Sequence, residues 1–107
     1  MKPRRTVVFV GSSLKDLREF PEAVLKDIGS QLLAVQFDRE PKDWKPMPSI
    51  GSGVREIRAK DVSGIYRAVY VAKIAGKVHV VHAFQKKTQK TAQKDLDLAK
   101  QRLREVT

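Results

Sequence analysis

The stretch GIYRAVYVAKIAGKVHVVHAFQ, Gly64 to Gln85, decides the fold. Two runs rich in β-branched and aromatic residues flank the short link Ala75-Gly76-Lys77. Runs of that composition separated by so tight a link form adjacent antiparallel strands, with Gly76 supplying the turn's unusual dihedrals. Just upstream, VREIRAK (54–60) reads as a third strand, returned through Ser63-Gly64. Three strands in succession predict an antiparallel meander.

Outward from this meander the periodicity changes. RTVVFVG (5–11) reads as a first strand stopped by Gly11. SSLKDLREF (12–20) opens a helix, where Ser13 with Asp16 has the spacing of a capping box. Pro21 suits the first turn of a further helix over EAVLKDIGSQLLAVQ (22–36), in which Val24, Leu25, Ile28, Leu32 and Val35 form one stripe. FDREPKDWKPMPSIGSG (37–53) is a loop or a meandering edge, pinned to the body by Trp44 and Met47. AQKDLDLAKQRLREV (92–106) closes the chain as a helix with Thr91 as its N-cap and Ala92, Leu96, Ala99, Leu103 and Val106 along one side. The order is β-α-α-β-β-β-α, an α+β fold in which a small antiparallel sheet carries an N-terminal helical pair and a C-terminal helix. Helices are expected on one face, leaving the other free for a site or a partner.

At 107 residues with 41% hydrophobic content, the chain suits one domain spanning 1–107. There is no cysteine, which excludes a disulfide framework and fits a reducing compartment. The basic start MKPRR precedes an apolar patch of only Val7 to Val10, too short for a signal peptide or a membrane span, so a cytoplasmic protein without membrane association is expected. The net charge of +10 is unevenly placed. Residues 1–53 hold nine Lys/Arg against seven Asp/Glu, a net +2, and residues 54–107 hold thirteen against five, a net +8. A field so lopsided steers toward phosphate backbones or an acidic partner.

Polar groups interrupt the strands at specific points. Strand alternation puts Glu56 and Arg58 on one face, and Arg55 and Ile57 on the other. Glu56 and Arg58 would also suit an ion pair on a wet face. Arg67 stands between Tyr66 and Ala68 in a strongly hydrophobic strand. In the last strand Val78, Val80, His82 and Phe84 are expected to point one way, and His79, Val81 and Ala83 the other. The two histidines then face apart, and no metal constellation is read. GSG at 51–53 lacks the spacing of a phosphate loop, and no cysteine nucleophile exists. His82 and Phe84 lead directly into KKTQK (86–90). That density of lysine exceeds the needs of a solvated turn.

With these residues in place, DWKPMPSIGSGVREIR, YRAVYV and above all VVHAFQKKTQKT with DLDLAKQRL resemble the phage-derived branch of the RelE/HigB-like toxins of type II toxin–antitoxin systems. The resemblance covers nearly the whole chain and implies the α+β fold derived above. It implies a metal-independent mRNA endoribonuclease that needs no cofactor and acts on ribosome-bound mRNA to inhibit translation. The implied partners are mRNA, the ribosome and a cognate antitoxin of helix-turn-helix type. By the same resemblance Arg58 and Arg67 hold the scissile phosphate, His82 carries a proton with Glu56 as second candidate, and Lys87 and Lys90 join the catalytic set. Arg55, Glu56, Phe84 and Lys86 are expected to bind substrate. Some relatives use a tyrosine near the C-terminus as a base or stacking platform, whereas none follows Tyr70 here, so no general base is assigned. A non-catalytic nucleic-acid-binding module and a gyrase-targeting toxin of the same fold are the alternatives.

Overall fold

The structure, a computed structural model, describes residues 4–107. Its elements are β1 (Val7–Phe9), α1 (Ser13–Arg18), α2 (Glu22–Gln36), β2 (Trp44–Pro46), β3 (Val54–Asp61), β4 (Gly64–Ile74), β5 (Lys77–Lys86) and α3 (Gln93–Val106). The expected order holds, with β2 added. The five strands lie in the order β1-β5-β4-β3-β2. The meander β2-β3-β4-β5 is antiparallel, and β1 closes the far edge parallel to β5.

β2 arises from the proline-rich stretch read as a loop or edge. Trp44 pairs with Ile57 and Pro46 with Arg55, and a proline is accommodated there because the outer side of an edge strand has no ladder to serve. The turn between β4 and β5 uses positive φ at both central residues, Ala75 at 52° and Gly76 at 69°. That conformation matches the right-handed twist of the flanking strands.

Two apolar layers sandwich the sheet, one on each face. Leu17 of α1 and Val24, Ile28, Leu32 and Val35 of α2 pack on Ile57, Ala59, Ala68, Tyr70, Val78 and Val80. On the opposite face Ala99 is buried against Val54, Val69, Val71, Val81 and Phe84, with Leu96, Leu103 and Val106 beside it. The expectation that all helices share one face is therefore corrected. The apolar stripe of α3 needs its own partner, and the face left bare by α1 and α2 supplies it. β4, covered on both sides, is buried from Tyr66 to Val71.

The helix starts also differ from the sequence reading. Ser12 caps α1 and donates to Asp16 Oδ2 at 2.8 Å, while Ser13 is buried and donates to the Val80 carbonyl. Ala92, not Thr91, stands at the start of α3, because the Thr91 hydroxyl is committed to Glu56. Among the described residues no helix is long and apolar enough to cross a membrane.

Ile57 lies at the centre of the α2-facing layer and is fully buried. Ile57→Ala is expected to cost about 2–5 kcal/mol, through lost transfer energy and the cavity left behind. Urea titration followed by circular dichroism measures this directly.

Candidate nucleic-acid interface

The cross-strand register assembles the polar residues of the α3-side face into rows. Lys45, Glu56, Val69 and His82 are successive partners across β2, β3, β4 and β5. The next row is Arg58, Arg67 and Phe84, and the one beyond is Lys60, Ile65 and Lys86. α3 covers this face from its C-terminal end only as far as the first row, where Asp95 meets His82. Beyond that point the face is open, and Ile65 is 42% exposed.

A β-bulge at Val81 builds these rows. Val69 pairs with His82 while Tyr70 pairs with Val80, so Val81 is an extra residue without a partner in the register. The bulge corrects the expected alternation of β5. It resets the parity after Val81, placing His82 and Phe84 on the α3 side rather than with Val78 and Val80. His79, the partner of Val71, shares that side, so the two histidines face the same way after all. Among the described residues no group of His, Asp or Glu is arranged to hold a metal ion.

Glu56 and Arg67 form the floor of the site. Glu56 is fully buried and Arg67 is 7% exposed. Arg67 Nε lies 2.9 Å from Glu56 Oε1, a close ion pair outside hydrogen-bond alignment, and neither atom has another partner. Thr91 Oγ1 donates to Glu56 Oε2 at 3.3 Å. The ion pair expected between Glu56 and Arg58 is thus replaced by one to Arg67. Arg58 instead brings Nε and Nη2 to 2.8 and 2.7 Å from Asp43 Oδ1. Burial, with help from the Arg58 charge, lowers the pKa of Arg67, although the Glu56 charge opposes the shift.

Two depressions lie side by side on the open face. One, of about 180 Å³, is lined by Asp43, Arg58, Ala59, Lys60, Ile65 and Arg67. The other, of about 240 Å³, is bordered by Phe84, Lys86, Lys87, Thr88, Lys94 and Asp95. Lys86 serves both. Burial first, then the charges of Arg67, Lys45 and Arg58, push its pKa below the ordinary lysine value. A lysine that titrates low among neighbouring cations is poised to give up a proton.

Of the residues expected to form the site, Arg58, Arg67, Phe84, Lys86 and Lys87 border these two depressions. Glu56 and His82 lie beneath the face. His82 Nε2 meets Asp95 Oδ1 at 2.8 Å, its ring stacks on Phe84 at 4.8 Å, and its Nδ1 is buried without a partner. Both ring nitrogens are closed to an incoming substrate, and the same holds for the Glu56 carboxylate. The structure thus places the expected proton carrier, His82, and the second candidate, Glu56, among the buried and partnered groups of this face. Lys90 is exposed in the turn, where its carbonyl accepts from the Thr88 hydroxyl. Arg55 is on the opposite face, its guanidinium 3.9 Å above the Trp44 ring and paired with Glu40. Its predicted place beside the other substrate-binding residues is corrected by strand parity. Lys45, Asp43 and Lys60 join the site unannounced. They come from an irregular edge and a strand end, where no periodicity marks a facing direction.

Comparison with known proteins agrees with this architecture. The profile of the phage-derived Gp49-like proteins (DUF891) matches residues 15–104. No curated protein matches the sequence significantly. Among solved structures, a double arginine-to-alanine mutant of the E. coli toxin RelE in the free state is similar. It superposes with a TM-score of 0.62 at 17% identity, covering 98% of this chain and 100% of that one.

The buried pair sets a stability test. Glu56→Gln strands the Arg67 charge and is expected to cost about 3–5 kcal/mol, whereas Glu56→Gln combined with Arg67→Met should recover most of that loss. A double-mutant cycle by urea denaturation decides it, and additive losses would show that the two side chains act independently. With the profile matching residues 15–104 and the sheet order that of the RelE fold, the chain belongs to the phage-derived Gp49-like family.

Proposed function

We propose that the chain is the toxin of a type II toxin–antitoxin system and cleaves mRNA on the ribosome, using the face that carries Arg58, Arg67 and Lys86. The observation that carries this reading is the placement of three cations in two adjacent rows of one sheet face, beyond the end of α3. The alternation of β3 and β4 and the bulge in β5 put them there.

In cleavage through the ribose, the 2′-OH attacks the neighbouring phosphate and the 5′-oxygen leaves. Negative charge accumulates on the phosphorus-bound oxygens between those events. Preorganised guanidinium groups stabilise such charge most where water is excluded. Arg67 is held in place by Glu56, and Arg58 must exchange Asp43 for the incoming phosphate. Asp43 shares the depression with both arginines and is the candidate acceptor for the 2′-OH proton. Lys86, with its lowered pKa, is the candidate donor to the leaving oxygen. Phe84 floors the second depression, where a base can stack. An antitoxin covering this face would silence the protein by occupying the phosphate site.

Expression with transcript mapping tests the reading. The wild type should arrest growth and cleave mRNA in the presence of EDTA, and Arg58→Ala and Lys86→Ala should each lower cleavage by about 10²-fold. Soluble protein that binds RNA with steep salt dependence and never cuts it would mean a non-catalytic binding module instead. Trapped gyrase–DNA complexes would mean the gyrase-targeting alternative.

A pH profile tests the Lys86 assignment. Disfavouring the charged form means the proton is lost at lower pH than from an ordinary lysine. Cleavage should accordingly fall on an alkaline limb below the usual lysine range. In Lys86→Arg that limb should move up or vanish, because arginine stays protonated. An unchanged limb would remove Lys86 from the role of proton donor.

A further inference from the structure

The other side of the sheet carries a second basic cleft that the RNA-cleavage reading does not use. It is a cavity of about 250 Å³ between the C-terminal end of α2 and strands β3 and β4, reached by Arg5, Arg39, Arg55, Tyr70 and Lys73, with Asp38 and Glu40 at its rim. The carboxylates are already engaged. Asp38 lies 3.2 Å from Arg5 Nε, and Glu40 Oε2 lies 3.2 Å from Arg55 Nη1. Arg39 and Lys73 have no ion-pair partner among the described residues, so two positive charges in the cleft are uncompensated.

Tyr70 supplies the second, independent observation. Its side chain is 1% exposed and lines the cavity, and its buried hydroxyl has no hydrogen-bond partner. Arg55 faces this hydroxyl, yet a guanidinium can only donate. Whatever Arg55 gives to the phenolic oxygen, the phenolic proton still lacks an acceptor. A buried donor left unmatched costs stability unless a ligand accepts from it.

Two further features preorganise the cleft. Stacking on Trp44 fixes the plane of Arg55, leaving the edge away from Glu40 for a fork-like contact with an oxyanion. Gly53, at φ +75°, lets Lys73 lie close. A Cβ there would come within 3.1 Å of the Lys73 Cδ.

We propose that this cleft binds a doubly charged oxyanion, the phosphate group of a small molecule, which accepts from Tyr70 and Arg55 and is neutralised by Arg39 and Lys73. The volume suits a phosphate with a small substituent rather than a polymer. Such a ligand would tie together the chain ahead of β1, the end of α2 and the β3–β4 ladder.

The test is a thermal-shift and NMR titration of the full chain with inorganic phosphate, at constant ionic strength, with acetate in parallel. Saturable stabilisation by phosphate is expected, with shifts at Tyr70, Arg55 and Lys73, and acetate should be much weaker. Tyr70→Phe, which removes only the unmatched hydroxyl and should fold, is expected to weaken phosphate binding about tenfold. Arg39→Ala should weaken it as well. Lys86→Ala, on the opposite face, should leave it unchanged. Equal responses to acetate and phosphate, or phosphate binding that survives in Tyr70→Phe, would overturn the proposal. Binding lost in Lys86→Ala would place the anion on the other face and overturn it too. None of these outcomes depends on RNA cleavage.

Discussion

A buried charge pair, Glu56 with Arg67, is the constraint around which the open face is organised. Placing two ions inside a sheet costs several kcal/mol per ion in lost hydration, and their attraction repays this only when geometry is good. An apolar pair of similar volume would serve stability about as well. What apolar residues could not do is hold a guanidinium at a fixed depth, with Nε anchored below and the rest of the group bordering a depression. Glu56 also accepts from Thr91, which places the lysine-rich turn beside the same row. One carboxylate thus positions both the floor and the rim of the site.

The bulge at Val81 is the second determinant, and it works through α3. Arg102 donates from Nη1 to the carbonyl of that residue at 3.1 Å and from Nη2 to Ser12 Oγ at 2.8 Å. A single side chain therefore ties the C-terminal helix to the irregularity in β5 and to the start of α1. At the other end of α3, Asp95 holds His82. These two polar contacts bracket the apolar seam of Leu96 and Ala99, so they fix where the helix begins and hence where the open face starts. His82 contributes by position. Its ring supports Phe84 from below, keeping an aromatic surface at the edge of the second depression.

Much of this fold is written in local periodicity. The stripe in 22–36, the Gly76 turn and the long β-branched runs each select one element, and neighbouring signals agree. The separation of Arg55 from Glu56 and Arg58 also follows from alternation alone. The bulge is a different matter. In VHVVHAF every residue suits a strand, so nothing local marks Val81 as the extra one. The shift is decided by whether β4 and α3 can pack around it. The side chosen by α3 is equally illegible, since an amphipathic helix records that it has a partner and not which sheet face that partner is. Asp43 and Lys45 lie in a proline-rich segment without periodicity, and their contacts with Arg58 and the Glu56 row are made across more than ten residues. The closure of His82 follows from the same tertiary facts. A histidine beside lysines reads as reactive until a carboxylate on a distant helix is found against it.

The two anion-competent clefts are products of one alternation. β3 sends Arg58 to the α3 side and Arg55 to the α2 side, and β4 sends Arg67 one way and Tyr70 the other. Between them stands a single layer of backbone, so consecutive residues such as Arg55 and Glu56 belong to different sites. Charges so close lie within about one Debye length at physiological salt, roughly 8 Å, and the intervening protein screens them poorly. The two clefts themselves lie further apart, because Tyr70 stands five residues along β4 from Ile65, the partner of Lys86, roughly 17 Å at about 3.4 Å per residue. That is about two Debye lengths, so an anion held by Arg55 and Tyr70 leaves Lys86 to the burial and the charges of Arg67, Lys45 and Arg58 on its own face.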